Sequence, residues 1–261
     1  MTAIALPRFT MPDPWRLLRP LKLDGQFSPR QRVQMVDADP GVHSRGIPAA
    51  AGGITLVGTI TRETVASDQT VDVNLPGSLS ENDYVIMNSF NDSTAGQITV
   101  NTSNWTELTT AVATDMSFQI FGKKMGVTPD TVVNVLIGAA AADTLFTFGA
   151  FRGVDTATQM DTTPTVSSGA SGDPDCPSIT TVTDGALILA IGALDDDIAT
   201  SVTEPSGYST ASWGTYGTAG AGGTSMWSYL IKVTAGSDDP AAYSTDGSDA
   251  WRSATLALRP A

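Results

Sequence analysis

The sequence predicts an all-β protein: a jelly-roll-like β-sandwich built from two homologous halves and preceded by an extended N-terminal arm. Three observations predict it. The 261 residues are rich in Thr, Ser, Ala, Gly and Asp; Thr favours strands, and Gly, Asp and Ser favour the turns between them. Short alternating apolar segments follow one another from Ile54 onward, separated by turn residues. The chain also writes one strand ending twice, TFGAFRG at 147–153 and ATLALRP at 254–260.

Residues 1–53 stand apart from the rest. Prolines at 7, 12, 14, 20, 29, 40 and 48 leave no room for regular structure beyond a turn or two. Residues 1–52 carry seven Lys/Arg and four Asp, a net of +3, whereas the seven basic and 23 acidic residues of 53–261 leave −16. A basic arm on an acidic body is the asymmetry of an interaction tail. Its apolar and cationic residues Arg8, Trp15, Arg16, Leu17, Leu18, Arg19, Phe27, Arg30 and Arg32 are the candidate partner-binding set. They cannot form a core of their own and so suit a surface laid along a partner. AAAGG at 49–53 reads as the linker. The acidic body is expected to repel nucleic acid and anionic membrane.

The first half, 54–159, reads as seven strands in order: ITLVGTITRETV (54–65), QTVDVNL (69–75), DYVIMNSFND (83–92), GQITVN (96–101), MSFQIFGKK (116–124), TVVNVLIG (131–138) and TLFTFGAFRG (144–153). Pro76–Gly77 turns the chain between the second and third. Residues 160–178, polar and rich in turn formers, read as a linker. The second half, 179–261, then repeats the first. TDGALILAIGALDDD (183–197) matches NDYVIMNSFND (82–92), SGY (206–208) answers SNW (103–105), and SMWSYLIK (225–232) answers SFQIFGKK (117–124) with Ser and Lys seven apart in each. The landmarks keep one order at offsets of 103, 103, 108 and 107, which reads as an internal duplication. The halves either contribute to one sandwich or form two side by side.

The chain offers few chemical groups. Its single histidine, His43, lies in the arm, where no fold positions it as a base. Its single cysteine, Cys176, excludes an internal disulfide and reads as a loop or strand-edge residue. One of each, 133 positions apart, makes no zinc site. No cofactor is expected. Most acids, among them Asp130, Asp173, Asp238 and Asp246, sit in turn contexts that Asx-turns explain. The run Asp195, Asp196, Asp197 is a weak calcium candidate without the spacing of a calcium loop. Trp213 and Tyr216, in a Gly/Ser/Thr setting, are candidate glycan contacts, while Phe118 and Trp227 are placed in the core. Arg152 and Arg259 are expected to pair with nearby carboxylates or carbonyls and close their sheets. No secretory signal is visible at the N-terminus, and no apolar run approaches the length of a membrane helix.

A strand opened by Asp, a turn into a Ser/Gly–Trp/Tyr element, an aromatic strand ending in Lys, and an apolar strand ending in FRGV with a second copy ending in LALRP: this resembles a tandem β-sandwich module of tailed-phage structural proteins and large bacterial surface proteins. The resemblance covers about 54–261. The module's PxGW turn stands here as TSNW (102–105) and EPSGY (204–208), the first copy lacking the proline. The resemblance implies a non-enzymatic virion component (capsid decoration, head spike or fibre, or tail-associated protein), multimeric in the particle. Its arm would hold it to capsid, portal or tail. The alternative is a carbohydrate-binding module for host surface glycans.

Overall fold

Strands form where apolar and polar residues alternate. The computed structural model describes residues 53–112, 116–139, 143–195, 199–218 and 221–261, and among them the chain is all-β, with one 3-10 turn at Thr94–Gly96 and no α-helix.

In the first half the strands are β1 (Thr55–Leu56), β2 (Thr61–Val65), β3 (Gln69–Asn74), β4 (Tyr84–Asn91), β5 (Ile98–Val100), β6 (Thr106–Val112), β7 (Ser117–Lys124), β8 (Val132–Ile137) and β9 (Thr144–Arg152). A large antiparallel sheet runs β1-β9-β4-β7-β6, with β2 continuing β1 along the same edge of β9, and a small sheet runs β3-β8-β5. The segment 54–65, which reads as one strand, is two, interrupted around Gly58 at φ +70°, a conformation open to glycine.

The second half supplies β10 (Thr165–Gly169), β11 (Ile179–Thr180), β12 (Ala186–Asp195), β13 (Val202–Thr203), β14 (Ser212–Thr218), β15 (Ala221–Lys232), β16 (Ser237–Asp238), β17 (Ser244–Thr245) and β18 (Trp251–Leu258). Its large sheet runs β10-β18-β12-β15-β14, and two ribbons, β11-β16 and β13-β17, replace the small sheet. Residues 160–178 are therefore more than a linker: β10 pairs along β18 over five residues. Its half-exposed TVSSG sequence is that of an edge strand, with no apolar face to mark it.

Successive side chains leave a strand on opposite faces, so a central strand serves two cores. Every residue of β4 is buried. Tyr84, Ile86 and Phe90 point one way, and Val85 and Met87 point the other, where they meet Val73, Val133 and Val135 of the small sheet. In β12 the same division sends Leu187, Leu189 and Ile191 to one side and Ile188 and Ala190 to the other. The first-named faces meet each other. One core joins ten buried residues of the first half to nine of the second. The body is thus four layers: small sheet, large sheet, large sheet, ribbons. The question the sequence leaves open, one sandwich or two, resolves as two sandwiches placed back to back. Each fully buried Leu or Phe at that seam contributes about 1.5–3 kcal/mol of burial free energy.

The strand registers of the two large sheets can be compared at the residues that face the shared core. Phe90 and Ala193 both face the shared core; Phe118 stands opposite the first and Ser225 opposite the second. Phe118 and Ser225 stand 107 positions apart, the spacing that also separates Arg152 from Arg259. Lys124 and Lys232 stand 108 apart, one residue off that spacing, and in a strand one residue is the opposite face. Lys124 donates to the Thr156 carbonyl at 3.0 Å, while Lys232 turns outward to Asp238 at 2.9 Å.

Candidate functional site

The arm residues Arg8, Trp15, Arg16, Leu17, Leu18, Arg19, Phe27, Arg30 and Arg32 lie outside the described residues, as does His43. So do Asp196 and Asp197; Asp195 is buried at the end of β12, its N–H on the Ala250 carbonyl at 2.8 Å. Among the described residues no group of three or more His, Cys, Asp or Glu is placed to hold a metal ion.

The two proposed glycan contacts part company. Trp213 is half-buried against the outer core of the second half. Tyr216 is 4% exposed and lies in the shared core. Its ring meets Phe90 edge-on at 5.5 Å, and its Oη accepts the Asp92 N–H at 2.7 Å. Burial pushes its phenol above the usual range. A ring so enclosed has no face for a sugar, so Tyr216 is corrected from a surface contact to a seam residue. Phe118 and Trp227 are core residues, at 0% and 1% exposure.

The strand-end arginines do close their sheets. Arg152 forms a two-pronged pair with the buried Asp83, Nε and Nη2 each at 2.8 Å, and Asp83 also accepts the Ser80 N–H at 2.7 Å. Arg259 reaches Asp161 at 3.4 Å; that buried carboxylate accepts the Val182 and Thr183 N–H groups at 2.6 and 3.3 Å. Other acids serve turns. Asp173 accepts the Thr245 N–H, Asp155 those of Ala157 and Thr158, and Asp246 those of Thr200 and Ser201. The Thr200 hydroxyl and Ser201 N–H hold the Asp246 carboxyl at about 2. Cys176, expected at a loop or edge, is 1% exposed; burial, with Asp175 adding to it, raises its thiol to about 12. A thiol that stays protonated is a poor nucleophile.

Two features were not foreseen, and both lie at the seam. In its middle the Thr147 hydroxyl donates to Ser225 Oγ, and Ser225 Oγ donates to Asn88 Oδ1, both at 3.3 Å with all three residues buried. Among the clefts beside it, one is lined by the first half alone and one lies between the halves. The first, of about 410 Å³, is lined by Tyr84, Gly122, Lys123, Lys124 and the Thr156–Gln159 loop. The other, of about 420 Å³, has an apolar floor that includes Leu56, Ile60, Leu189 and Trp227. Arg62 of β2 lies beside it, and its Nη2 donates to Ser212 Oγ at 3.2 Å. Its sequence signal was slight: an arginine within the strand TRETV, one of several strand cations in the body.

The described body is accordingly an all-β stack of antiparallel sheets, closed by a buried seam and carrying surface clefts. No family model, curated protein or solved structure matches the chain.

Proposed function

We propose that this protein is a non-enzymatic structural component of a phage virion: a capsid decoration, head spike or fibre, or tail-associated protein, present in several copies and held to another virion protein by residues 1–52. The observation that carries this reading is the division of charge and apolar residues along the chain. The arm has a net of +3 and bears Trp15, Leu17, Leu18 and Phe27, whereas 53–261 carries −16. An extended segment of that kind gains affinity from contact area while giving up its ordering entropy. The described acids support a structural role for the body, since Asp83, Asp161, Asp173 and Asp246 each serve a backbone N–H.

The finer fold reading belongs to the same proposal. Each half sends successive strands across two layers in the manner of a jelly roll. The order β2-β9-β4-β7-β6 has the same chain sequence as β10-β18-β12-β15-β14, as a duplicated unit requires.

The test is deletion of residues 2–50. The truncated chain is expected to keep the circular dichroism and melting transition of the body and to be missing from purified particles. Normal incorporation of the truncated chain would sink the proposal. The glycan alternative now rests on Trp213 alone; loss of cell or glycan-array binding in Trp213→Ala, with incorporation intact, would favour it.

A further inference from the structure

The apolar cleft has one corner where donors are left unpaired and no carboxylate lines the wall. Trp227 lines the cleft at 1% exposure, and its Nε1 has no hydrogen-bond partner. Arg62 crosses the second large sheet over Gly214, so closely that a Cβ there would stand 2.5 Å from the Arg62 Cδ. Its Nη2 is satisfied by Ser212, but its buried Nε is not. Ser212 and Trp227 are directly opposed cross-strand partners, so their side chains leave the same face about 5 Å apart. The guanidinium, the Ser212 hydroxyl and the indole therefore converge.

Lys123, Arg152, Lys232 and Arg259 each have a carboxylate partner. Arg62, like Lys124 and Arg252, has none among the described residues; what sets Arg62 apart is a buried Nε without a hydrogen-bond partner. Burial draws its guanidinium down to about 10. Mostly apolar clefts of this size with a few convergent polar groups are the usual form of small-molecule sites. A desolvated cation gains most from an anion that brings charge-assisted hydrogen bonds. A cationic head would meet the Arg62 charge, with no carboxylate in the cleft to offset it. A sugar would bring acceptors, but the Trp227 ring is too enclosed to stack on it.

We propose that this cleft binds an anionic amphiphile, with a carboxylate held by Arg62 and the Trp227 Nε1 and an apolar chain lying along Leu56, Ile60 and Leu189. The site goes beyond the proposed anchoring role and does not depend on it.

Calorimetric titration of the full chain with decanoate tests it. Saturable binding is expected. Arg62→Met, which keeps length and loses charge, should weaken decanoate roughly tenfold or more while leaving decanol binding unchanged. Thr210→Trp, at the exposed rim, should abolish both. The Trp227 indole N–H resonance, assigned by comparison with Trp227→Phe, should shift on decanoate addition. Melting curves establish that each variant folds, and should Arg62→Met not fold, the rim variant and the indole resonance decide. Absence of saturable decanoate binding, or decanoate affinity unchanged in the variants that fold, would overturn the proposal. Neutral oligosaccharide binding blocked by Thr210→Trp, in a chain that ignores decanoate, would overturn it too.

Discussion

Asp161 shows how much one carboxylate holds here. Its Oδ2 accepts two backbone N–H groups at the entry to the second half, and its Oδ1 takes Arg259. Asp161→Ala removes the acceptor of the partly exposed Val182 and Thr183 N–H groups and the partner of Arg259, a loss of about 1–2 kcal/mol that chemical denaturation should read. Gly223 is constrained from the other side. A Cβ there would stand 2.5 Å from both the Leu194 carbonyl oxygen and the Phe90 ring, so Gly223→Ala should cost about 1–3 kcal/mol by overpacking. The buried titratable groups set a pH limit. Burial raises the Cys176 thiol and the Tyr84 phenol to about 12, from 9.0 and 10.0. Above pH 9 the unfolded chain sheds these protons first and so binds fewer than the folded one. Stability then falls as pH rises. Melting temperature should be steady with respect to these groups up to about pH 9 and decline from there toward pH 12; a melting temperature that holds flat through pH 11 would refute it. The arginine pairings were legible as a type of contact, but their partners were not: Asp83 lies 69 positions from Arg152 and is brought in by β4.

At the scale of elements, the strands that sequence reading found are those with an apolar face. Of those it missed, the three longest, β6, β10 and β14, share a cause. TELTTAV, TVSSG and SWGTYGT are edge strands rich in Thr, Ser and Gly, with little alternation to read. Pairing across the sheet, rather than apolar patterning, holds them. The Ser–Lys spacing that matches β7 with β15 says less than the strand register does. Ser and Lys at equal spacing are common in strands, whereas the inward face is fixed only by what it packs against. The cross-strand exchange at this point can be tested. Tyr84 lies over Gly122, whose Cβ would come within 2.1 Å of the phenol oxygen. The register-equivalent positions hold Leu187 and Tyr229, the bulk moved to the other strand. Gly122→Ala alone should destabilise by about 1–3 kcal/mol, and most of that should vanish in the Tyr84→Leu background, a coupling that a double-mutant cycle measures. Additive effects would contradict the account.

The whole body is organised around the seam. Because ten buried residues of one half and nine of the other form one core, neither half should be stable alone. Residues 53–159 expressed without the rest would leave Ile86, Phe90, Phe118 and Ile120 uncovered, a patch of the kind that drives association. The intact body should unfold in one calorimetric transition, with van't Hoff and calorimetric enthalpies equal; two separated transitions would show that the sandwiches are independent. The all-β class was legible from composition and alternation. The back-to-back arrangement was not, because β4 and β12 are apolar on both faces and no pattern says which face meets what. The division between arm and body was plain in the charge alone, and on it rests the central functional claim, that residues 1–52 fasten an acidic body to a particle. A reconstruction of the intact particle tests that claim most directly. It should show residues 1–52 laid against another virion protein with the stacked sheets projecting outward. Density with the sheets themselves seated on the particle and the arm unattached, or a particle without the chain, would contradict it.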